Sequence, residues 1–225
     1  MKKTKKILAM ACAMALSAAI AVGGTLAYLT STTEVVTNTF TVGKVAITLD
    51  EADVNEYGQK LNDKDGIWKE GDTLADRVMG NEYKLMPGHK YFKDPTVTVK
   101  AGSESSYIRM IVTISDIADV KAVLGNDFLP QNFVEGWNND KWATTGQIIE
   151  TNDTAVYEFW YHEPVSTDGA TDDLALEPLF THIKVPGTVD NDGLKALDEM
   201  EIQVIAQAIQ ADGFANAEAA WAAWE

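Results

Sequence analysis

Alternation of apolar and polar side chains over several short segments limits this chain mainly to β folds. In Tyr107–Ile114, Ile108, Met110, Val112 and Ile114 are all apolar, whereas the residues between them include Arg109 and Thr113. Successive side chains of a strand point to opposite faces, so this pattern predicts a strand with one core-facing side. The same period of two predicts further strands. These cover residues 39–42, 44–49, 96–99, 142–149 and 155–162.

Two further strands rest on weaker patterns. Leu179–Val185 is a largely apolar run that stops at Pro186-Gly187, a turn signal. Met200–Gln210 has apolar residues on both faces. Its isoleucines are also spaced to suit a helix, but we interpret it as a strand that is buried largely on both faces.

Helical spacing is confined to short connections and to the C-terminal end. A short helix is predicted within residues 115–128, and the Ala-rich residues 211–224 are predicted to form a terminal helix or tail. Several short strands separated by turn signals are typical of an all-β sandwich. We therefore predict one all-β domain over residues 44–225, with short helices in the connections.

The N-terminal residues have the layout of a secretory signal peptide. A basic start with four lysines precedes the apolar, Ala-rich run Ile7–Val22, which ends at Gly23-Gly24-Thr25. A membrane anchor is the alternative, but the apolar run is at the short end of the ~20 residues that a span needs. Thr25 and Ala27 fit the small-residue positions of a cleavage site. Cleavage between Ala27 and Tyr28 is the prediction, so the protein is expected to be secreted and to touch the membrane only through the uncleaved signal.

Charge and cysteine content restrict the function classes. The 225 residues carry a net charge of −16, and removal of residues 1–27, with their four lysines and no acid, makes it −20. Such an acidic protein is not expected to bind nucleic acid. The single cysteine, Cys12, lies within the signal. A disulfide scaffold is therefore excluded for the mature chain.

Three stretches of this sequence resemble the TasA/camelysin family of Gram-positive bacteria. The first joins Gly23-Gly24-Thr25, just before the cleavage site, to the segment NTFTVGKVAITLDE, in which Phe40–Val45 carries the family's pattern. The second is LMPGHKYFKDPTVTVKAGSESSYIRMIVTI, with a Leu-x-Pro-Gly turn between the predicted strands. The last is IQVIAQAIQADGF. Residues 117–191 resemble the family only weakly.

The resemblance implies a jelly-roll-like β-sandwich that is released by a dedicated signal peptidase. Family members build fibres of the extracellular biofilm matrix, so a head-to-tail homopolymer, with other matrix proteins as further partners, is expected. In such fibres the N-terminal segment of one subunit completes the sheet of the next, which here points to residues 28–43. Val36, Phe40 and Val42 share one face of that segment and are the candidate pocket fillers.

A metallopeptidase is the alternative that the name camelysin suggests. The histidines are His89, His162 and His182, and none of them stands in an H-E-x-x-H pattern, which places two zinc ligands on one helical face. The mature chain has no thiol nucleophile. Whether this chain is an enzyme stays open, with the non-enzymatic interpretation favoured.

Two binding functions are also open. Asp190, Asp192 and Glu199 match the third, fifth and twelfth positions of an EF-hand-type calcium loop, although Thr188 replaces the first aspartate. Calcium is therefore a possible ligand, while Asp-Gly clusters are more often ordinary turns. The tryptophans form the second case, a glycan-binding face of a monomeric adhesion module. They are Trp137, Trp142, Trp160, Trp221 and Trp224.

Overall fold

A four-stranded antiparallel sheet is the largest element of the structure. The computed structural model describes residues 43–126, 133–151 and 153–224. The predicted export signal and the strand over residues 39–42 lie outside this range. The strands of the sheet, in spatial order, are β10 (Ile202–Gln210), β4 (Ser106–Ser115), β7 (Thr154–Tyr161) and β6 (Trp142–Glu150). Each of these segments follows a predicted alternation, so these four strand predictions are confirmed.

Two smaller antiparallel sheets of three strands each are also present in the described residues. One consists of β1 (Ile47–Asp50), β3 (Thr96–Val99) and β8 (Leu174–Ala175), in that order. The other consists of β2 (Lys90–Phe92), β9 (His182–Lys184) and β5 (Val134–Glu135). The described chain is thus mostly β, as the sequence predicts.

One apolar core joins the inner faces of the three sheets. In β4 the predicted core residues Ile108, Met110, Val112 and Ile114 are at most 2% exposed. They pack in a single cluster with residues from both smaller sheets, among them Val97 of β3, Tyr91 of β2 and Ile183 of β9. Burial of apolar surface on this scale is the main stabilising term of the fold.

Within the described residues, three short helices lie in the connections and near the C-terminal end. They are α1 (Ile117–Leu124), α2 (Asn191–Ala196) and α3 (Ala217–Ala222). In α1, Ile117 and Val120 face the core, as their spacing predicts. No helix within the described residues is long and apolar enough to cross a membrane.

Two details of the strand predictions are wrong. The strand predicted over Leu179–Val185 contains only His182–Lys184, because those residues alone pair with β2 and β5. The strand β10 is not buried on both faces: Gln203 is exposed, and 54% of the Ile205 surface is accessible. Its second face looks outward because it belongs to the outer surface of the four-stranded sheet.

Candidate functional site

The free edge of β10 is one of the two nine-residue edges of the four-stranded sheet. There β10 pairs only with β4, over nine successive residue pairs without a register shift. Ser115 N–H donates to Glu201 O at one end of this ladder, and Ala211 N–H donates to Ser105 O at the other. Hydrogen-bonded positions alternate along an antiparallel strand, so the odd-numbered residues bond to β4. The backbone groups of residues 202, 204, 206, 208 and 210 therefore point to the free edge.

The side chains of β10 give this edge no protection against another strand. The sequence IQVIAQAIQ contains neither a charged residue nor proline. Native proteins usually blunt a free edge with charges, prolines or bulges, because an unprotected edge pairs with other chains. The opposite edge of the same sheet, β6, has register shifts between Thr144 and Gly146 and between Gln147 and Ile149. Those irregularities disturb β6 as a template, whereas β10 stays regular.

A groove runs beside the first half of β10. It consists of two adjoining hollows of about 670 and 350 Å³, which share Asn81, Lys93, Ile202 and Gln203 as lining residues. Leu49 of β1 lies across the smaller hollow, and Leu85 and Met200 give the larger one apolar walls. An extended chain along β10 would find both backbone partners and space for side chains here.

A partly buried tyrosine and charged groups lie at the wall of the groove. The side chains of Lys93 and Glu51 form an ion pair and are only 9% and 6% exposed. Tyr83 lies beside them, and its burial, together with the negative charges of Glu51 and Asp94, raises its pKa far above the ordinary value. The groove therefore combines apolar walls with charged side chains, which in the larger hollow also include Glu82, Lys84, Lys195, Asp198 and Glu201.

The other end of β10 is covered on its outer side by α3. Trp221 of α3 is 6% exposed, and its ring lies 4.2 Å from the guanidinium carbon of Arg109 on β4. Arg109 in turn donates to Gln207 of β10. Beyond this contact the outer face stays open around Ile205, which is more than half exposed.

The predicted donor and cleavage residues lie outside the described part of the chain. These are Ala27, Tyr28, Val36, Phe40 and Val42. Gly43 is the first residue that the structure describes, four residues before the start of β1 at Ile47. The roles assigned to the five residues stay predictions.

The residues predicted to bind calcium have other contacts in the structure. Asp190 is the N-cap of α2, and its Oδ1 accepts a hydrogen bond of 2.8 Å from Gly193 N–H. Asp192 and Glu199 are exposed, and Asp192 is 3.6 Å from Lys195. Residues 191–196 are helical, which differs from the extended ligand loop that an EF hand requires. The capping role accounts for the Asp190-Asn-Asp-Gly sequence, and calcium binding stays a prediction.

The histidines have separate surroundings. His89 contacts the carbonyl of Tyr57, His182 contacts Phe92 and Thr181, and the backbone of His162 bonds to Lys141. Burial and the nearby charge of Lys90 lower the pKa of His182. In the part of the chain that the structure describes, no three His, Cys, Asp or Glu side chains are grouped to hold a metal ion.

The tryptophans divide between the two faces of the large sheet. Trp142 is 1% exposed and packs edge-on against Tyr161 on the core side, where Trp137 also packs against Phe159. Trp221 and Trp224 pack together over Arg109 on the outer side. Trp160 is partly buried, and Trp224 is 44% exposed. Glycan binding stays a prediction.

The free edge was not predicted as a site from the sequence. Apolar residues on both faces of Met200–Gln210 predict burial on both faces, and they give no sign that the strand lies at the edge of a sheet. The absence of charged residues from Ile202–Gln210 is the sequence signal that favours pairing of this strand with another chain. In comparisons with family models, with curated proteins and with solved structures, nothing matches the chain.

Proposed function

We propose that this protein is a secreted structural protein whose copies join head to tail into fibres of an extracellular or cell-surface biofilm matrix. Residues 28–43 of one copy would add as a strand to the free edge of β10 in the next copy. The observation that carries the proposal is the regular, uncharged edge of β10 with a groove beside it. The resemblance to the TasA/camelysin family points to the same mode of assembly.

The proposed donor segment has the properties that this edge requires. Residues 28–43 contain one charged side chain, Glu34, and are rich in threonine and valine. When extended, they reach roughly 50 Å at about 3.3 Å per residue, which exceeds the roughly 30 Å of β10. Strand addition takes its affinity from backbone hydrogen bonds and its specificity from alternate side chains in pockets. Val36, Phe40 and Val42 would fill the apolar part of the groove.

A contact of this kind propagates because its two halves differ. The donor surface lies at the mature N-terminus and the acceptor surface lies at β10, so each copy offers one of each. Such heterologous contacts produce open filaments when the rotation between copies does not close a ring. A jelly-roll-like β-sandwich is the architecture that we propose for the subunit, supported by the single core that the three sheets share.

Proline at position 206 tests the acceptor edge. The N–H of Ala206 points away from β4, so Ala206→Pro removes an edge donor and leaves the β4 ladder in place. In the chain that starts at Tyr28, we expect filaments from the parent protein and from Ala206→Val, which keeps the N–H. We expect monomers from Ala206→Pro. Electron microscopy and light scattering distinguish these outcomes.

Two controls make this test decisive. Near-ultraviolet circular dichroism and cooperative unfolding must show that Ala206→Pro is folded. A chain that starts at Lys44 lacks the donor and should also stay monomeric. If the parent protein stays monomeric across salt, calcium and acidic pH, self-assembly is wrong. If folded Ala206→Pro forms filaments like the parent, assembly does not use the β10 edge.

A further inference from the structure

Three side chains beside the groove form a contiguous polar cluster with an unusual composition. Lys93 Nζ lies 2.5 Å from Glu51 Oε2, and the other oxygen of the same carboxylate accepts a 2.8 Å hydrogen bond from Asn81 Nδ2. Glu51 and Lys93 are 4% and 8% exposed. One buried carboxylate thus contacts both an amine and a carboxamide.

The Asn81 carboxamide is held by backbone groups on its other sides. Its Nδ2 also donates to Ala52 O at 3.0 Å, and its Oδ1 accepts from Val54 N–H at 3.0 Å. The second contact is a preorganised donor at the oxygen where negative charge develops when a nucleophile attacks the amide carbon. Donors so placed stabilise the tetrahedral intermediate of acyl transfer.

We propose that Lys93 and Asn81 become joined by an intramolecular amide bond. Transfer of a proton from Lys93 to Glu51 first leaves the Nζ amine uncharged. This amine attacks Cγ of Asn81, and a new Nζ–Cγ bond forms as the Cγ–Nδ2 bond breaks. Glu51 accepts a proton from Nζ and delivers one to Nδ2, which leaves as ammonia. The reaction needs no oxidant, reductant or second substrate, since one amide is exchanged for another.

The position of Glu51 is what makes this exchange feasible. General acid–base catalysis requires a group within hydrogen-bond reach of the proton that moves. Glu51 touches both the nitrogen that must lose a proton and the nitrogen that must gain one. Lys93 Nζ and Asn81 Nδ2 contact the two oxygens of the same Glu51 carboxylate. Rotation about the flexible side chain of Lys93 would therefore bring Nζ to the Asn81 carboxamide.

The surroundings suit an amide exchange better than a purely structural ion pair. A buried ion pair rarely adds net stability compared with apolar residues of similar size. Lys93 Nζ also lies 6.0 Å from the ring centroid of Tyr83, which helps to shield the amine from water. The product would replace two buried charges at this place by a neutral amide and a protonated carboxyl group.

The bond would clamp the long irregular connection between β1 and β2. Asn81 lies within that connection and Lys93 directly follows β2, so the linkage closes a covalent loop over residues 81–93. Cross-links that close loops stabilise a fold mainly by restricting the unfolded chain. A mature chain without cysteine would gain a permanent link that reducing agents do not break.

Intact-mass spectrometry of the folded chain that starts at Tyr28 tests the proposal. The expected mass is lower than the sequence mass by one ammonia, and digestion yields a branched peptide that joins Lys93 to Asn81. Lys93→Arg and Glu51→Gln should show the full sequence mass. Lys84→Arg is the matched control, because Lys84 lines the same hollow without contacting Glu51, and it should keep the link.

A fourth variant keeps the test sharp if Glu51→Gln folds poorly. Asn81→Asp can form the same bond with loss of water, so its linked product has the same mass as linked wild-type protein. Wild-type protein that is folded, has the full sequence mass after prolonged incubation and yields no branched peptide would overturn the proposal. An ammonia loss that persists in Lys93→Arg would overturn it as well, because the loss would then come from another site.

Discussion

Arg109 and Glu158 form a largely buried ion pair on the outer face of the large sheet. Arg109 Nη1 donates to Glu158 Oε1 at 2.6 Å and Arg109 Nε donates to Gln207 Oε1 at 2.7 Å. The side chains of Arg109 and Glu158 are 14% and 9% exposed. The ring of Trp221 covers the guanidinium, so the pair links three strands and α3 through one residue.

Replacement of Arg109 is expected to be much more harmful than replacement of the whole pair. Arg109→Met leaves the Glu158 carboxylate buried without its cation, which destabilises proteins by about 3–5 kcal/mol. Arg109→Met combined with Glu158→Met should be more stable than Arg109→Met alone, because the double variant also removes the buried carboxylate. Urea unfolding measures both free energies, with Arg109→Lys as the charge-preserving control. Equal free energies of unfolding of the single and double variants would show that the buried Glu158 carboxylate is not stabilised by Arg109.

The residue-scale clusters could not be predicted from the sequence. Arg109 is visible as a polar position within β4, but its partner Glu158 lies 49 residues away and Gln207 lies 98 residues away. Glu51, Asn81 and Lys93 likewise come from three separate stretches with no shared motif. These groups are buried and paired because distant stretches of the chain meet in the fold. Local periodicity contains no information about such contacts.

At the scale of elements, Asp190 at the N-terminus of α2 has two candidate roles, as a helix cap alone or as a cap that also binds calcium. Asp190→Ala removes the acceptor for Gly193 N–H and should destabilise the protein by about 1 kcal/mol, the usual effect of losing an N-cap. Asp190→Asn keeps a good cap and should be nearly neutral in the absence of calcium. Urea unfolding with and without calcium measures both effects. If calcium stabilises the wild type and this gain disappears in Asp190→Asn, Asp190 is also a calcium ligand.

Elements with a strict alternation were predicted well, and those whose environment depends on distant partners were not. In β4 every second residue is apolar and buried, so both the strand and its core face follow from the sequence. In β10 apolar residues occupy both faces, and the sequence does not say that only one neighbouring strand is present. The end of β9 is set by its pairing with β2 and β5 rather than by the apolar run around it.

At the scale of the whole molecule, charge and assembly oppose each other. The proposed mature chain carries a net charge of −20, so copies repel one another over distances comparable to the ~8 Å screening length at physiological salt. The β10 edge itself is uncharged, and the proposed donor segment has only Glu34. Local backbone pairing therefore has to overcome a long-range repulsion. The all-β class was predictable from the sequence. That the uncharged strand β10 lies at an edge of an otherwise charged protein could be seen only from the strand order.

A head-to-tail fibre predicts a specific result when two defective variants are mixed. The chain that starts at Lys44 keeps the acceptor edge and lacks the donor, whereas Ala206→Pro in the chain that starts at Tyr28 keeps the donor and lacks the acceptor. Each should be monomeric alone. Mixed in equal amounts, they should form one-to-one dimers that cannot grow, because each dimer uses the only functional donor and the only functional acceptor present.

Size-exclusion chromatography with light scattering measures this outcome, and filament length supplies a second one. Added to the unmodified chain that starts at Tyr28, the chain that starts at Lys44 should shorten filaments in proportion to its amount, since it stops growth wherever it binds. Long filaments from the mixture of the two variants would mean that a second contact drives assembly. A mixture that stays monomeric, while the unmodified chain forms filaments, would mean that donor and acceptor are not residues 28–43 and the β10 edge.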